Sequence, residues 1–404
     1  MRPDGWATCC IAGCGPAGAM LGLLLARAGV EVVVLEKHSD FLRDFRGDTI
    51  HPSTMELMAE IGLAERVLGL RHSKARQLVL ETSRERAVVA DFSRLRTPYP
   101  YVTFLPQWDF LNLLTAEAKR LPAFRLLMDA PAEQLIVEDG VVRGLRYAPG
   151  GQQEVRALLT VAADGRDSRM RAQAGLEPAG VSPPMDVLWF RLSRRPEEPE
   201  TVGLRIGAGH ILILINRFEY WQAGYVVPKG TADQVRARGL AAFKRSLVEL
   251  VPPLADRVEE LEDWEQVKLL SVQSNRLGRW HRPGLLCIGD AAHAMSPIGG
   301  VGINLAIQDA VEAANVLAGP LRAGRVESGH LEHVQRRRQW PTRVIQALQH
   351  ALQRRLVAPV LADGDIALPR LLGLLRQAPL LQRVPAYLIG FGVRRVHVQA
   401  PVRG

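Results

Sequence analysis

The sequence predicts an α/β fold: a Rossmann-type domain interleaved with a mainly β region, plus a helical C-terminal segment. Three observations predict it. Strand, glycine turn, helix and strand follow one another between Thr8 and Leu35, which is a βαβ unit. Aromatic-rich strand patterns fill Val187–Val227, between segments that again read as α/β. Beyond His330 the chain turns helical and Arg-rich.

The elements follow in order. Thr8–Ala12 reads as a buried strand and Ala17–Ala28 as an Ala/Leu-rich helix stopped by Gly29. Val30–Leu35 is a second buried strand, as a parallel sheet covered on both faces requires. Thr54–Ile61 reads as a helix capped by Ser53 or Thr54. Strands and turns follow from Ala75 to Phe104, then a helix over Phe110–Lys119. Val141–Tyr147 and Glu154–Ala163 flank Gly150-Gly151, a hairpin signal. Leu240–Leu250 is a helix ended by Pro252-Pro253, Leu285–Ile288 a short buried strand, and Ile303–Leu317 a helix carrying Asp309 and Glu312. His330–Val357 is helical, with Pro341 expected to kink it.

With 404 residues, 47% hydrophobic and 23% charged, the chain has globular composition, which excludes disordered and collagen-like classes. Cys9, Cys10, Cys14 and Cys287 are too few for a disulfide framework and lack a zinc spacing, so no metal is expected and a reduced cytoplasmic compartment is. The net charge of +9 is carried mostly by arginine. Nothing but that charge suggests nucleic acid, and no nucleic-acid partner is expected. The apolar N-terminus is broken by Gly13, Gly15, Pro16 and Gly18, which argues against a signal peptide. Arg27, Gly29 and Glu31 interrupt the most apolar stretch, so no membrane-spanning helix is expected.

Three motifs carry chemistry. Gly13-Cys14-Gly15-Pro16-Ala17-Gly18 is GxGxxG between a strand and a helix. Its glycines permit a tight turn, close approach of a pyrophosphate, and close helix–strand packing. The helix N-terminus offers free N–H groups to the anion. Glu36 ends the next strand, where a carboxylate accepts from ribose hydroxyls and repels a 2′-phosphate, favouring FAD or NAD over NADP. The second motif is Asp164-Gly165-x-x-Ser168-x-x-Arg171 after a strand. The third runs from Gly289-Asp290-Ala-Ala-His293 through Pro297, Gly299, Gly300, Val301 and Gly302 to Ile303 and Asn304. There a carboxylate ends a strand, and a glycine loop opens a helix towards whatever anion forms beside it.

These motifs, in this order and spacing, resemble the flavoprotein aromatic hydroxylases of the p-hydroxybenzoate hydroxylase type, the class A flavoprotein monooxygenases, over residues 6–320. Gln107 at the head of a helix also fits. The order of segments along the chain, read with that resemblance, gives an FAD-binding domain at 1–74, 100–183 and 280–330 and a β-rich substrate domain at 75–99 and 184–279; beyond the stretch that the resemblance covers, the chain reads as a helical segment at 331–404. The resemblance implies that Gly13, Gly15, Pro16, Ala17 and Gly18 face the FAD pyrophosphate, that Glu36 and Lys37 lie at the adenosine ribose, and that Arg46 and Gln107 reach FAD. Asp164 is tied to FAD and NAD(P)H use, and Asp290 to the ribityl chain. Pro297, Gly299, Gly300, Val301, Gly302, Ile303 and Asn304 border the flavin ring. Many members carry Gln where this chain has Val301.

The implied activity is a hydroxylase. NADH or NADPH, as a transient co-substrate, reduces FAD; O2 adds to give a flavin C4a-hydroperoxide, which oxygenates a small aromatic or polycyclic substrate. That chemistry needs a dry chamber. The face bearing Trp189, Phe218, Tyr220 and Trp221 is the expected wall. No catalytic acid or base stands out; His51, His210, His293 and Tyr225 qualify by location alone. Two other readings compete. One is a flavoenzyme of the same fold that inserts no oxygen, a reductase or halogenase, although the Trp-x-Trp-x-Ile segment of halogenases is missing. The other is a peripheral membrane protein with structural FAD. It rests on Val344, Leu348, Leu352 and Leu356 recurring at i+4 beside Arg343, Arg354 and Arg355; the competing expectation is that this helix packs on the FAD domain.

Overall fold

The computed structural model describes residues 5–42, 49–82, 85–148, 153–180, 182–198, 202–207, 209–363 and 379–399. Its main sheet is built on β1 (Trp6–Ala12), whose run of small and β-branched residues is buried from Ala7 onward. A glycine turn leads to α1 (Pro16–Arg27), and β2 (Val32–Leu35) returns beside β1. Gly29 takes φ +77° just past α1 and ends it. With β3 (Phe124–Leu127), β4 (Gln153–Ala162) and β5 (Leu285–Cys287), the order is β5-β4-β1-β2-β3, all parallel, with His281–Arg282 as an antiparallel edge. α1 packs between the Gln107–Ala118 helix and a long helix, Gly302–Arg322. The expected hairpin forms, with Val141–Tyr147 antiparallel to β4; its Gly150-Gly151 turn lies outside the described residues.

A second, seven-stranded sheet draws strands from two separate stretches of chain. Gln77–Glu81 and Arg86–Asp91 join Met185–Ser193, Val202–Gly207, His210–Asn216, Tyr220–Pro228 and Lys268–Leu270. A three-stranded sheet of Thr49–Ile50, Val102–Phe104 and Ser73–Ala75 stands apart from both.

The helices differ from expectation in instructive ways. α2 (Pro52–Glu60) starts earlier than the Thr54 reading, because Pro52 takes the first helical position and His51 the cap. Ser53 and Thr54 therefore lie inside the helix. We label Gly302–Arg322 α3, Ser328–Leu352 α4 and Arg383–Phe391 α5. α4 continues through Pro341, and a π-helical turn follows at Gln353–Val357. α4 does pack on α3, through a face that mixes Leu331, Val334 and Ile345 with buried polar side chains. Gln335, Gln346, Gln349 and Gln353 are buried, whereas Leu348 and Leu352 are exposed. The glutamines turn inward onto hydrogen-bonding groups of neighbouring segments. Gln346 Nε2 donates to the carbonyls of Asn275 and Ala294, and Gln349 Nε2 to those of Ser296 and Ile298.

Candidate functional site

Parallel strands β5, β4, β1 and β2 all end on the same edge of the sheet, and the three motifs sit on that edge. Gly13 follows β1 at φ +94°. A Cβ there would lie 2.5 Å from the Ala163 carbonyl oxygen and 2.9 Å from Cα of Asp164, so the first two motifs touch through backbone. At Gly289, a Cβ would lie 3.2 Å from that of Ala17, which brings the third motif against the head of α1. Gly15 is different: among the described residues, nothing beyond its chain neighbours lies within 4 Å of where its Cβ would be. It caps α1 with no side-chain hydrogen bond and no acidic residue in the first turn, so the bare N–H groups face open space. Glu36 is buried at the end of β2 and accepts from the N–H of Cys14 at 3.1 Å and of His38 at 3.2 Å. Open cradle, bare helix end and buried carboxylate together fit a dinucleotide such as FAD. Lys37 is exposed, Gln107 opens its helix half-buried, and Arg46 lies outside the described residues.

The second motif is a clamp. Ser168 caps a short helix through the N–H of Arg171 at 3.0 Å and donates its hydroxyl to Asp164 Oδ1 at 2.5 Å. Asp164 Oδ2 accepts from the N–H of Met170 at 3.2 Å. Burial pushes the Asp164 carboxyl up, against these hydrogen bonds. Buried Arg171 reaches over to donate to the Ala291 carbonyl at 3.2 Å, tying the second motif to the third. Asp290 is half-buried, with Arg166 at 4.0 Å.

A buried charge cluster holds the third motif from behind. Asp309 on α3 accepts from the N–H of Gly289 at 3.1 Å, meets His293 Nε2 at 2.6 Å, and accepts from Arg338 Nε of α4 at 2.8 Å. Asp309 and Arg338 are fully buried. Burial alone would push the Asp309 carboxyl up, but His293 and Arg338 outweigh it and hold it below the usual range. His293 thus fixes a loop. Sequence reading missed Arg338, 29 residues away in an Arg triplet. Asp309 on the apolar face of its helix was the available signal, since a buried carboxylate requires a partner.

Two consecutive left-handed glycines, Gly299 (φ +77°) and Gly300 (φ +62°), turn the chain into α3. Thr49 explains why the second must be glycine: its Oγ1 would lie 2.6 Å from a Cβ at Gly300, and it donates to the Gly300 carbonyl at 2.8 Å. Val301 packs with Leu305 and Ile345, and Ile303 is buried in the main core. The Asn304 side chain does not face an open cleft. Its Oδ1 accepts from the N–H of His51 at 2.9 Å and Thr54 Oγ1 at 2.7 Å, and its Nδ2 donates to the carbonyls of Thr49 and Gly300. It staples the loop to α2. His51 is buried, with Nδ1 2.6 Å from the Ile389 carbonyl of α5. Burial pushes its pKa down to about 4, against that hydrogen bond, so the ring is neutral near pH 7. Half-buried Pro297 opens the loop, and α3 begins with neither a side-chain cap nor an acidic residue in its first turn.

The expected aromatic wall divides. Trp221 pairs with Leu192, three residues along the strand from Trp189, and side chains alternate, so Trp189 and Trp221 cannot share a face. Trp221 and Tyr225 pack with Phe190 and Phe243 beneath the Leu240–Leu250 helix, and His210 stacks on Tyr225 at 5.1 Å. Burial pushes the Tyr225 hydroxyl up to about 12 and His210 down. Phe218 lies on a turn under the Arg71 guanidinium, and Tyr220 beside that of Arg191. Tyr220 shares the Trp189 face by register but sits at the strand's end; Trp189 is the one that packs in a cluster with Val226, Ile211, Phe104 and, from the glycine loop, Ile298. Among the described residues no cluster of three metal-ligating side chains occurs, and all four cysteines are free and buried. No helix among them is long and apolar enough to cross a membrane.

A family model described as FAD binding domain matches residues 7–348. The chain is 34% identical to 6-methylpretetramide 4-monooxygenase of Streptomyces rimosus over 387 residues, covering 94% of this chain and 89% of that protein. Para-nitrophenol 4-monooxygenase of Pseudomonas sp. strain WBC-3 is 25% identical, with 78% of each chain covered. In fold, the chain matches the crystal structure of p-nitrophenol 4-monooxygenase PnpA from Pseudomonas putida DLL-E4 with a TM-score of 0.78 at 20% identity, over 96% of this chain and 99% of that one.

Proposed function

The chain belongs to the FAD binding domain family and is a flavin-dependent monooxygenase, and from that premise we propose that it hydroxylates a phenolic or enolic ring of an aromatic or fused polycyclic substrate. One observation supports this most: the three motifs meet on a single sheet edge, and the glycine loop beside them packs with the apolar, Trp189-bearing face of the second sheet. The names of the two relatives above support the substrate class.

Bound FAD supplies the redox chemistry: it takes two electrons from NAD(P)H and activates O2, so that one oxygen atom enters the substrate and the other leaves as water. The chain's own residues do the rest. Gly15 leaves room for the pyrophosphate over the N-terminus of α1, and Glu36 accepts from ribose hydroxyls. Asp290 would accept from the ribityl chain. The uncapped N–H groups at the start of α3 favour negative charge on the ring edge beside Pro297–Gly302. Asn304, Asp309 and Arg171 keep that loop in place without contacting the reaction. The Trp189 face excludes water. His51 and His293 are both committed to structural hydrogen bonds, so ring activation falls to the acidity of the substrate's own phenol or enol.

The test is oxygen labelling. Flavin-loaded protein, NAD(P)H and 18O2 are supplied with phenols, quinolones and aromatic polyketides. A product bearing one 18O atom is expected. Reduced-cofactor oxidation with no labelled product from any of them favours a reductase.

A further inference from the structure

α4 buries Leu331, Val334 and Ile345 together with several glutamines, and yet presents a further line of apolar side chains to solvent. Trp340 is 58% exposed, Leu348 41% and Leu352 48%, and together with partly exposed Val344 they recur at i+4 along one outer line. The pattern repeats further on: Leu380 is 77% exposed and Val384 56%, at helical spacing just before and within α5. Seven of the twelve large exposed apolar side chains of the described residues fall between Trp340 and Tyr387, so they are not the scattered single exposures of an ordinary surface. Arg343, Arg354, Arg355 and Arg383 lie beside these stripes, all exposed, and no described carboxylate pairs with them.

We propose that the outer line of α4 docks on an anionic phospholipid surface, lying on it rather than crossing it. An apolar line set among unpaired arginines has the chemistry of an interfacial helix: the apolar side chains enter the acyl boundary and the guanidiniums meet lipid phosphates. A second copy of the chain fits less well, because a two-fold contact would set the same arginines against themselves. Burial of the glutamine face is independent of membrane, so α4 stays folded on α3 when the protein leaves the surface.

The test is co-sedimentation of the flavin-loaded full chain with vesicles of phosphatidylcholine alone or mixed with phosphatidylglycerol. The wild type is expected to sediment with the anionic vesicles only, and to be released by added salt. A Leu348→Glu/Leu352→Glu variant and, separately, an Arg354→Gln/Arg355→Gln variant lose about tenfold or more in partitioning, with flavin absorbance and vesicle-free turnover unchanged. Wild-type protein that stays in solution with both vesicles overturns the proposal, as do variants that still sediment like wild type. A dimer that the leucine variant splits reassigns the face to self-association. Retention on immobilised polyglutamate without vesicle binding reassigns it to an acidic protein. Either result also overturns the lipid assignment.

Discussion

Gly13 and Gly15 look alike in sequence and have opposite demands. A side chain at Gly13 meets the Ala163 backbone and must take φ +94°, so Gly13→Ala is expected to cost about 2 kcal/mol or more, read as a lowered urea midpoint. His51 carries a pH prediction. Its folded pKa, about 4, lies below the unfolded value of 6.5, so the neutral ring favours the native state. That stability is complete above pH 6.5 and is lost as pH falls towards 4, by up to about 3 kcal/mol. Urea midpoints against pH should drop over this window in the wild type and drop less in His51→Gln. Parallel curves would contradict the assignment.

At the scale of elements, α3 and α4 act as a brace for the third motif. Removing Arg338 leaves buried Asp309 with only His293 and the Gly289 N–H as partners, so Arg338→Met is expected to destabilise by about 2–3 kcal/mol, measured by urea unfolding. Helix sidedness was the least legible feature of the sequence. Val344, Leu348 and Leu352 mark an apolar stripe, yet the opposite, glutamine-bearing face is the buried one. Hydrogen bonds to the carbonyls of Ser296 and Ile298 decided the matter, and nothing local to α4 announces them. The π turn after Leu352 was equally silent. By contrast, β1, α1 and β2 were readable to within a few residues, because a glycine turn between buried runs is a local signal.

On the scale of the whole molecule, the proposed function divides the labour between two sheets: one edge would offer the cradle and one face the apolar wall. The meeting of Gly13, Asp164 and Gly289 on that edge follows from parallel pairing, which motif order and spacing made readable. The wall was misread because the aromatic residues were taken together, across the alternation of Trp189 and Trp221. The correction is testable. Trp189→Ala should raise the H2O2 released per NAD(P)H oxidised, whereas Trp221→Ala should lower stability and leave that ratio unchanged. Asn304, taken by position for a cofactor contact, shows the same limit. Its four partners come from stretches of chain that only the fold assembles.

Titrating flavin-free protein with FAD, followed by quenching of flavin fluorescence, tests the convergence of the motifs most directly. Among the described residues, nothing beyond its own chain neighbours lies within 4 Å of a Cβ at Gly15, so Gly15→Val should fold with wild-type stability and lose FAD affinity by about a hundredfold, roughly 3 kcal/mol. A Gly15→Val protein that binds FAD as tightly as wild type would contradict the account.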